Sequence, residues 1–171
     1  MQGLLPFFIF MYAVIFTSIL IHEIGHVIGA LAVNLHIDEV KVGFIGFRKR
    51  RGKFRLHFYK NAFSGHVKRI EPDNTIPLKK EFIFSVSGIS ANLIFGALLL
   101  SAYHYRNNND LRELLMIFGA VSIFIGVINL IPFKLKRLNL ISDGLRLIVV
   151  LARWLTGVDQ PNKAAQKDNQ G

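Results

Sequence analysis

The chain contains no cysteine among its 171 residues, and acidic side chains are few, 11 against 21 lysines and arginines. Without cysteine there are no disulfides and no thiolate metal sites, so a bound metal must use histidine or carboxylate ligands. The net charge of +10 would favour nucleic-acid binding in a soluble protein. The basic residues lie mostly between long apolar runs, however, as in the cytoplasmic loops of membrane proteins. We therefore expect a lipid bilayer, and no nucleic acid, as a partner.

Hydrophobic residues make up 51% of the chain and are gathered into long runs. A helix of about 20 residues crosses the hydrocarbon core of a bilayer. Three runs are long enough: Leu4 to Val33, Phe82 to Tyr103 and Leu114 to Pro132. A shorter apolar stretch, Leu145 to Leu155, contains Arg153 and is expected to lie half-inserted or at the interface. These runs predict an all-α membrane protein with three transmembrane helices plus a short fourth helix.

The segment between the first two spans has a different pattern. Apolar residues at about 37–70 roughly alternate with polar ones and are punctuated by glycine, which predicts a small β-hairpin or sheet. Its basic tip, Arg48 to Lys53, is expected to be a solvated turn near anionic lipid headgroups. We predict one core over residues 1–157 and a disordered tail over 158–171.

The distribution of lysine and arginine predicts the orientation of the chain. Basic residues concentrate between the first and second spans and again after the third, whereas the loop between the second and third spans carries only Arg106 and Arg112. Because basic loops face the cytosol, we expect a multi-pass protein of the cell membrane with its N-terminus outside. The first run lacks the basic start and cleavage site of a secretory signal, so we expect it in the mature protein.

The first span carries the motif His22-Glu23-Ile-Gly-His26. Four-residue spacing on a helix places both imidazoles on one face, where they can share a tetrahedral metal. Glu23 lies beside them and can take a proton from an attacking water. Ionisable groups at hydrocarbon depth are costly unless they have a function, which favours ligation over coincidence. The expected cofactor is one Zn²⁺ ion.

A catalytic zinc site normally has three protein ligands, so a third must come from elsewhere in the chain. Most acidic residues resemble loop or span-end groups. Asp143 differs, because it lies just before the last apolar stretch and on the cytosolic side, where the predicted topology also places His22 and His26. Asn129 lies near the same end of the third span, where Pro132 can break the helix and leave backbone groups free for an extended peptide.

Taken together, these residues resemble the site-2 proteases, a family of intramembrane zinc metalloproteases. The family pattern N-x-x-P followed by D-G is similar to Asn129 to Pro132 and Asp143-Gly144, and the resemblance implies Asp143 as the third ligand. The family motif G-P-x-x-N is similar to Gly88 to Asn92, although isoleucine stands in place of the proline. The resemblance implies that Asn92 and Asn129 hold substrate or stabilise the reacting carbonyl. Interhelical packing is an open alternative for a buried asparagine.

The spacing also departs from the family pattern, because ten residues separate Pro132 from Asp143. This basic insertion is expected to loop into the cytosol. The predicted reaction is hydrolysis of peptide bonds within or near transmembrane segments, with Glu23 as the general base and a membrane-embedded or membrane-proximal peptide as substrate. By the same resemblance, the β element lies near the site, where its exposed edge could bind substrate as an added strand.

Two other classes of protein stay open. A non-proteolytic zinc-binding sensor or peptide-binding protein would keep the metal geometry without the chemistry, and an ion transporter would use His and Glu as a polar pathway. Four protein ligands would favour the sensor, and a failure of Asp143 to meet the histidines would favour the transporter. Of the remaining histidines, only His66 is singled out for possible contact with the cleft.

Overall fold

The computed structural model describes residues 4–72, 75–105, 109–135 and 140–157. The helices of this part are α1 (Leu4–Ala32), α2 (Leu78–His104), α3 (Asn109–Leu130) and α4 (Asp143–Leu155). The strands are β1 (Ile37–Val42), β2 (Ile45–Arg50), β3 (Lys53–Phe58), β4 (Gly65–Arg69), β5 (Lys134–Leu135) and β6 (Leu140–Ile141). The described chain is therefore mostly helical with a small antiparallel sheet. The predicted disordered tail, 158–171, lies outside the described residues.

Helices α1, α2 and α3 are long and apolar enough to cross a membrane. Many of their large side chains lie on the outside of the protein; Leu5 is 70% exposed and Leu98 is 63% exposed. Exposure of this kind along a whole helix is unfavourable in water and is expected where lipid covers the surface. The prediction of three candidate spans and a shorter fourth helix is confirmed.

The helix ends follow from local sequence. Helix α1 stops where Asn34 adopts a left-handed backbone with φ of 54°, and the Leu35 N–H then bonds back to the Ala30 carbonyl. Helix α2 begins directly after Pro77, earlier than the predicted Phe82. Helix α3 ends at Leu130, just before the predicted end at Pro132, because the residue preceding a proline is restricted to extended backbone.

The four-stranded sheet has the order β3-β2-β1-β4, and its described pairs are antiparallel. The turn between β2 and β3 is made by Arg51 and Gly52, both at positive φ, as two-residue hairpins require. Strand β4 pairs with β1 on one side and is an edge strand of the sheet. The sheet packs on α1 and α2 through a buried cluster that includes Ala30, Val67 and Phe84. This packing brings the start of β4 against the C-terminal half of α1, where Gly65 lies beside Glu23.

The insertion between Pro132 and Asp143 was predicted to be a loop, but its two ends form short strands. Lys134 pairs with Ile141 and Leu135 with Leu140, so the ends form an antiparallel pair. Residues 136–139 lie outside the described part. The pairing returns the chain to the end of α3 and so starts α4 next to that helix.

Candidate metal centre

Two imidazoles of α1 point the same ring nitrogen into the protein. His22 and His26 are both buried, and their Nε2 atoms are 3.1 Å apart. The opposite nitrogen of each ring has its own contact: His26 Nδ1 lies 2.8 Å from the Phe84 carbonyl, and His22 Nδ1 lies 3.4 Å from the Asn92 amide. The His26 Nδ1–H donates to the Phe84 carbonyl, which fixes the ring and leaves its Nε2 for an ion. The Asn92 side chain packs against the opposite side of the His22 ring.

Asp143, from a distant part of the sequence, lies beside the Nε2 atoms of both histidines. Its Oδ2 lies 2.9 Å from His22 Nε2 and 3.0 Å from His26 Nε2, although Asp143 and His26 are 117 residues apart in the chain. Ser142 positions this carboxylate, because its Oγ accepts hydrogen bonds from the N–H groups of both Leu145 and Phe133. The first of these caps α4, and the second ties the cap to the segment after Pro132.

The three residues fit one metal ion. One ligand atom from each of His22, His26 and Asp143 lies within 4.8 Å of the other two. In a tetrahedral zinc site with bonds of about 2.0–2.1 Å, ligand atoms lie about 3.3 Å apart. The observed separations of 2.9 to 3.1 Å are close to that value. No fourth His, Asp or Glu of the described ranges joins the group, and three protein ligands are typical of catalytic zinc.

Glu23 occupies an unusual position beside this group. Its side chain is buried, and no hydrogen-bond partner for its Oε2 is found in the described part of the chain. Its other side is covered by β4: a Cβ built on Gly65 would come within 2.3 Å of Glu23 Oε1. Glycine at position 65 therefore lets the strand approach the carboxylate. A buried carboxylate oxygen without a partner is costly unless a ligand or water meets it.

A cavity of about 320 Å³ connects these groups. It is lined by His22, Glu23, His26 and Asp143, by residues 63–67 just before and at the start of β4, and by Asn129 on α3. The Asn129 amide donates one hydrogen bond to the Ile125 carbonyl, which leaves a second amide hydrogen for a bound group. Metal-ligating residues, a carboxylate, an amide donor and a strand edge thus border one space.

Asn92 takes a different position. It is completely buried and lies against the Nδ1 side of His22. The Ser122 hydroxyl of α3 donates a hydrogen bond that is shared between the backbone carbonyl and the side-chain oxygen of Asn92. These contacts favour the interhelical alternative, in which Asn92 joins α2 to α3 and orients His22. A direct role of Asn92 at the substrate carbonyl stays a prediction.

His66 lines the cavity, as the sequence analysis had suggested. Its Nε2 lies 2.8 Å from Glu39 Oε1, and the Tyr59 hydroxyl donates to the same oxygen. Burial lowers the pKa of His66, although Glu39 partly offsets this. Burial alone would raise the pKa of Glu39, but the bonds from Tyr59 and His66 and the charge of Lys68 hold it below its usual range. Burial and the bond to Glu39 raise the pKa of Tyr59 to about 12.

Sequence reasoning gave no packing role to several residues that shape this centre. A Cβ on Gly88 would come within 2.5 Å of His26 Nε2, and one on Gly144 would come within 1.9 Å of the Leu130 carbonyl oxygen. These glycines let α2 approach the histidine and let α4 start against the end of α3. Ser142 was recognisable from sequence, since serine before a helix is a common N-cap. The role of the Phe84 carbonyl left no signal in the sequence.

A comparison with known protein families matches the part of the chain that contains the motif histidines. The model of peptidase family M50, which includes the site-2 proteases, matches residues 10–108. The matched region contains the motif of α1, the sheet and α2. No curated protein matches the chain.

Proposed function

The chain belongs to peptidase family M50, and from this premise we propose that it is an intramembrane zinc metalloprotease acting on peptide bonds within or beside transmembrane segments. One observation carries the proposal: Nε2 of both motif histidines and Oδ2 of Asp143 meet within about 3 Å of one another. The apolar helices α1 to α3 support a bilayer as the surroundings. Glu23, next to the group, supports hydrolysis over a purely structural site.

Each residue of the centre then has a role. His22, His26 and Asp143 hold the zinc. When bound there, zinc polarises a carbonyl and makes water a stronger nucleophile at neutral pH. Glu23 accepts the proton of the attacking water and returns it to the leaving amine. Asn129 donates its remaining amide hydrogen to the developing oxyanion, and Asn92 keeps the His22 ring in place.

The test of the metal site uses two aspartates that both lie in the first turn of a helix. Asp143→Ala is expected to reduce the zinc content of the purified protein from about one ion per chain to a small fraction. The α4 cap depends on Ser142 and survives the change. Asp110→Ala, in the first turn of α3, serves as the matched control. Equal zinc contents in both variants would refute the metal site.

The substrate is proposed to lie along β4 as an added strand. Strand β4 is an edge of the sheet, and Gly65 on it touches Glu23. An extended peptide paired to this edge would run past both the carboxylate and the three ligands. Pairing also unwinds the substrate helix, which exposes its amide bonds to attack.

Strand addition can be tested by changing the substrate, without mutating the enzyme. N-methylation of successive substrate residues is expected to block cleavage strongly at every second position, because alternate N–H groups of a strand point to the same neighbour. Methylation at the intervening positions should have little effect. A smooth dependence on distance from the cleaved bond, without alternation, would contradict pairing to β4.

The active site is proposed to lie toward the cytoplasm. The natural absence of cysteine makes the chain a ready background for labelling single introduced thiols. Arg51→Cys at the β2–β3 turn should react only with reagents on the cytosolic side, and Tyr105→Cys after α2 only with those outside. The reverse pattern would invert the orientation while leaving the metal site untouched.

A further inference from the structure

A second cavity, which we call the α4 groove, lies between the start of α2, the β5–β6 pair and α4. Its volume is about 260 Å³. Three cationic side chains line it, against a single carboxylate. The cations are Lys134, Arg146 and Arg153, and the carboxylate is Glu81.

The carboxylate of the groove, Glu81, is already paired with a cation that does not line the groove. Glu81 forms a two-pronged ion pair with the buried guanidinium of Arg69, and Arg146 stands farther off, at 3.9 Å from Glu81 Oε1. Within the described ranges, no carboxylate lies within ion-pair distance of Lys134 or Arg153. The groove therefore carries positive charge that the described protein does not balance, and it suits a ligand with a compact negative charge.

The wall of the groove is apolar. Leu145, Val149 and Val150 line it between the cations, and the outward side of α4 continues this surface. Ile148 is 50% exposed and Leu155 is 89% exposed. An amphipathic helix with arginines beside exposed apolar side chains is typical of segments that lie at a lipid–water boundary.

We propose that the α4 groove binds the phosphate of an anionic phospholipid, with Lys134, Arg146 and Arg153 around the headgroup and the acyl chains along the exposed side of α4. The exposed apolar surface favours a lipid over an acidic peptide, since a peptide acid would use the cations and leave α4 uncovered. Anionic lipids are concentrated in the cytoplasmic leaflet. The basic segments that flank the groove are predicted to face the same side.

The groove adjoins the proposed active site. Arg146 and Ile141 line both the groove and the cavity of the metal centre. A phosphate in the groove would hold the Arg146 side chain at the wall between the two spaces. The bound lipid would therefore lie directly beside the catalytic cavity.

The chain contains a built-in probe for this lipid. Trp154 is its single tryptophan; it packs on Phe82 with ring centroids 5.7 Å apart and is exposed beside the groove. The full chain is reconstituted in phosphatidylcholine vesicles with brominated phosphatidylglycerol or, in parallel, brominated phosphatidylcholine. Because each cation contributes about a fivefold preference for anionic lipid, brominated phosphatidylglycerol should quench Trp154 with at least about tenfold higher apparent affinity.

Paired variants separate a built site from general attraction. Lys134→Gln with Arg153→Gln should remove most of the preference, whereas Lys79→Gln with Lys80→Gln, an equal charge change outside the groove at the start of α2, should keep it. Equal quenching by both lipids, or an equal loss in both double variants, would overturn the proposal. Fluorescence needs neither zinc nor turnover, so failure here and failure of the protease assignment are distinguishable.

Two soluble competitors distinguish the source of the negative charge. Inorganic phosphate, at matched ionic strength, should not displace the brominated phosphatidylglycerol, because it lacks acyl chains to cover α4. An acidic peptide should likewise leave the quenching unchanged. Displacement by either competitor at concentrations comparable to the lipid would mean that the groove recognises the anion alone, and the lipid assignment would be wrong.

Discussion

Two groups of ionisable side chains, each around a buried glutamate, differ in how the charge of that glutamate is satisfied. We call His22, Glu23, His26 and Asp143 the helix cluster, and Glu39 with Tyr59, His66, Lys68 and Arg48 the sheet cluster. Glu39 is 1% exposed, yet it accepts from Tyr59 and His66 and faces two further cations. Glu23 is also buried, at 4% exposed, but has an oxygen with no hydrogen-bond partner in the described residues.

This difference indicates a structural role for the sheet cluster and a chemical role for the helix cluster. Burying a carboxylate is costly, and the sheet cluster compensates with hydrogen bonds and opposite charges. The helix cluster instead brings metal-ligating atoms together and leaves Glu23 incompletely satisfied. Side chains that a fold keeps in such a state are candidates for a functional site. Changes in the helix cluster should therefore affect turnover, and changes in the sheet cluster should affect stability.

The largest expected effect comes from Glu23→Gln. The amide keeps the shape of the side chain but cannot accept a proton, so the rate of peptide cleavage should fall by about 10²- to 10⁴-fold. Zinc content should stay near that of the parent, because the three ligands are intact. Cleavage of a membrane-segment peptide by equal amounts of zinc-loaded protein measures the change. Unaltered cleavage would show that Glu23 is not the base.

A smaller loss is expected from Gly65→Ala. The added methyl group would meet Glu23 Oε1, and displacement of a catalytic group by about 1 Å can lower the rate by about a hundredfold. The control is Gly52→Ala, where φ is +78° and no atom lies within 4 Å of the new Cβ. That variant should lose stability through backbone strain and keep its turnover. Equal turnover in the two variants would contradict the contact between β4 and Glu23.

Glu39→Gln tests the sheet cluster. It removes a charge that accepts several hydrogen bonds, and the free energy of unfolding should fall by about 2 kcal/mol. Turnover per folded molecule should be unchanged. Asp38→Asn is the neighbouring control, because Asp38 makes a longer and more exposed contact with Arg48, at 3.7 Å, and should cost less than about 1 kcal/mol. Denaturant unfolding in detergent micelles measures both values.

The smallest effect is the pH dependence that Glu39 confers. Its pKa in the folded protein is lowered, because its hydrogen bonds and nearby cations outweigh burial. The unfolded chain therefore binds a proton more readily, so this stabilisation is complete above the ordinary glutamate pKa of about 4.3 and is lost as pH falls below it. The parent should lose stability over this acidic range faster than Glu39→Gln does. Parallel curves for the two proteins would show that Glu39 does not confer this dependence.

Much of the fold followed from local pattern. The spans of α1 to α3 depend on the length and apolarity of each run, which are properties of a segment by itself. The β element was recognisable from alternation and glycine. Boundaries were less predictable: α2 starts before the predicted Phe82, since the helix also includes the more polar residues after Pro77. The β5–β6 pair was missed because two-residue strands have too few positions to form a pattern.

For the candidate site, the sequence by itself determined the chemistry of α1, because the spacing of His22, Glu23 and His26 places them on adjoining turns of any helix. It also supplied Asp143 and Asn129 as candidates. Only the tertiary structure decided that Asp143 meets the histidines, that Asn92 contacts the back of His22 and that Gly65 borders Glu23. Those contacts join segments far apart in the chain, and their distances depend on how helices and strands pack, which no local pattern encodes.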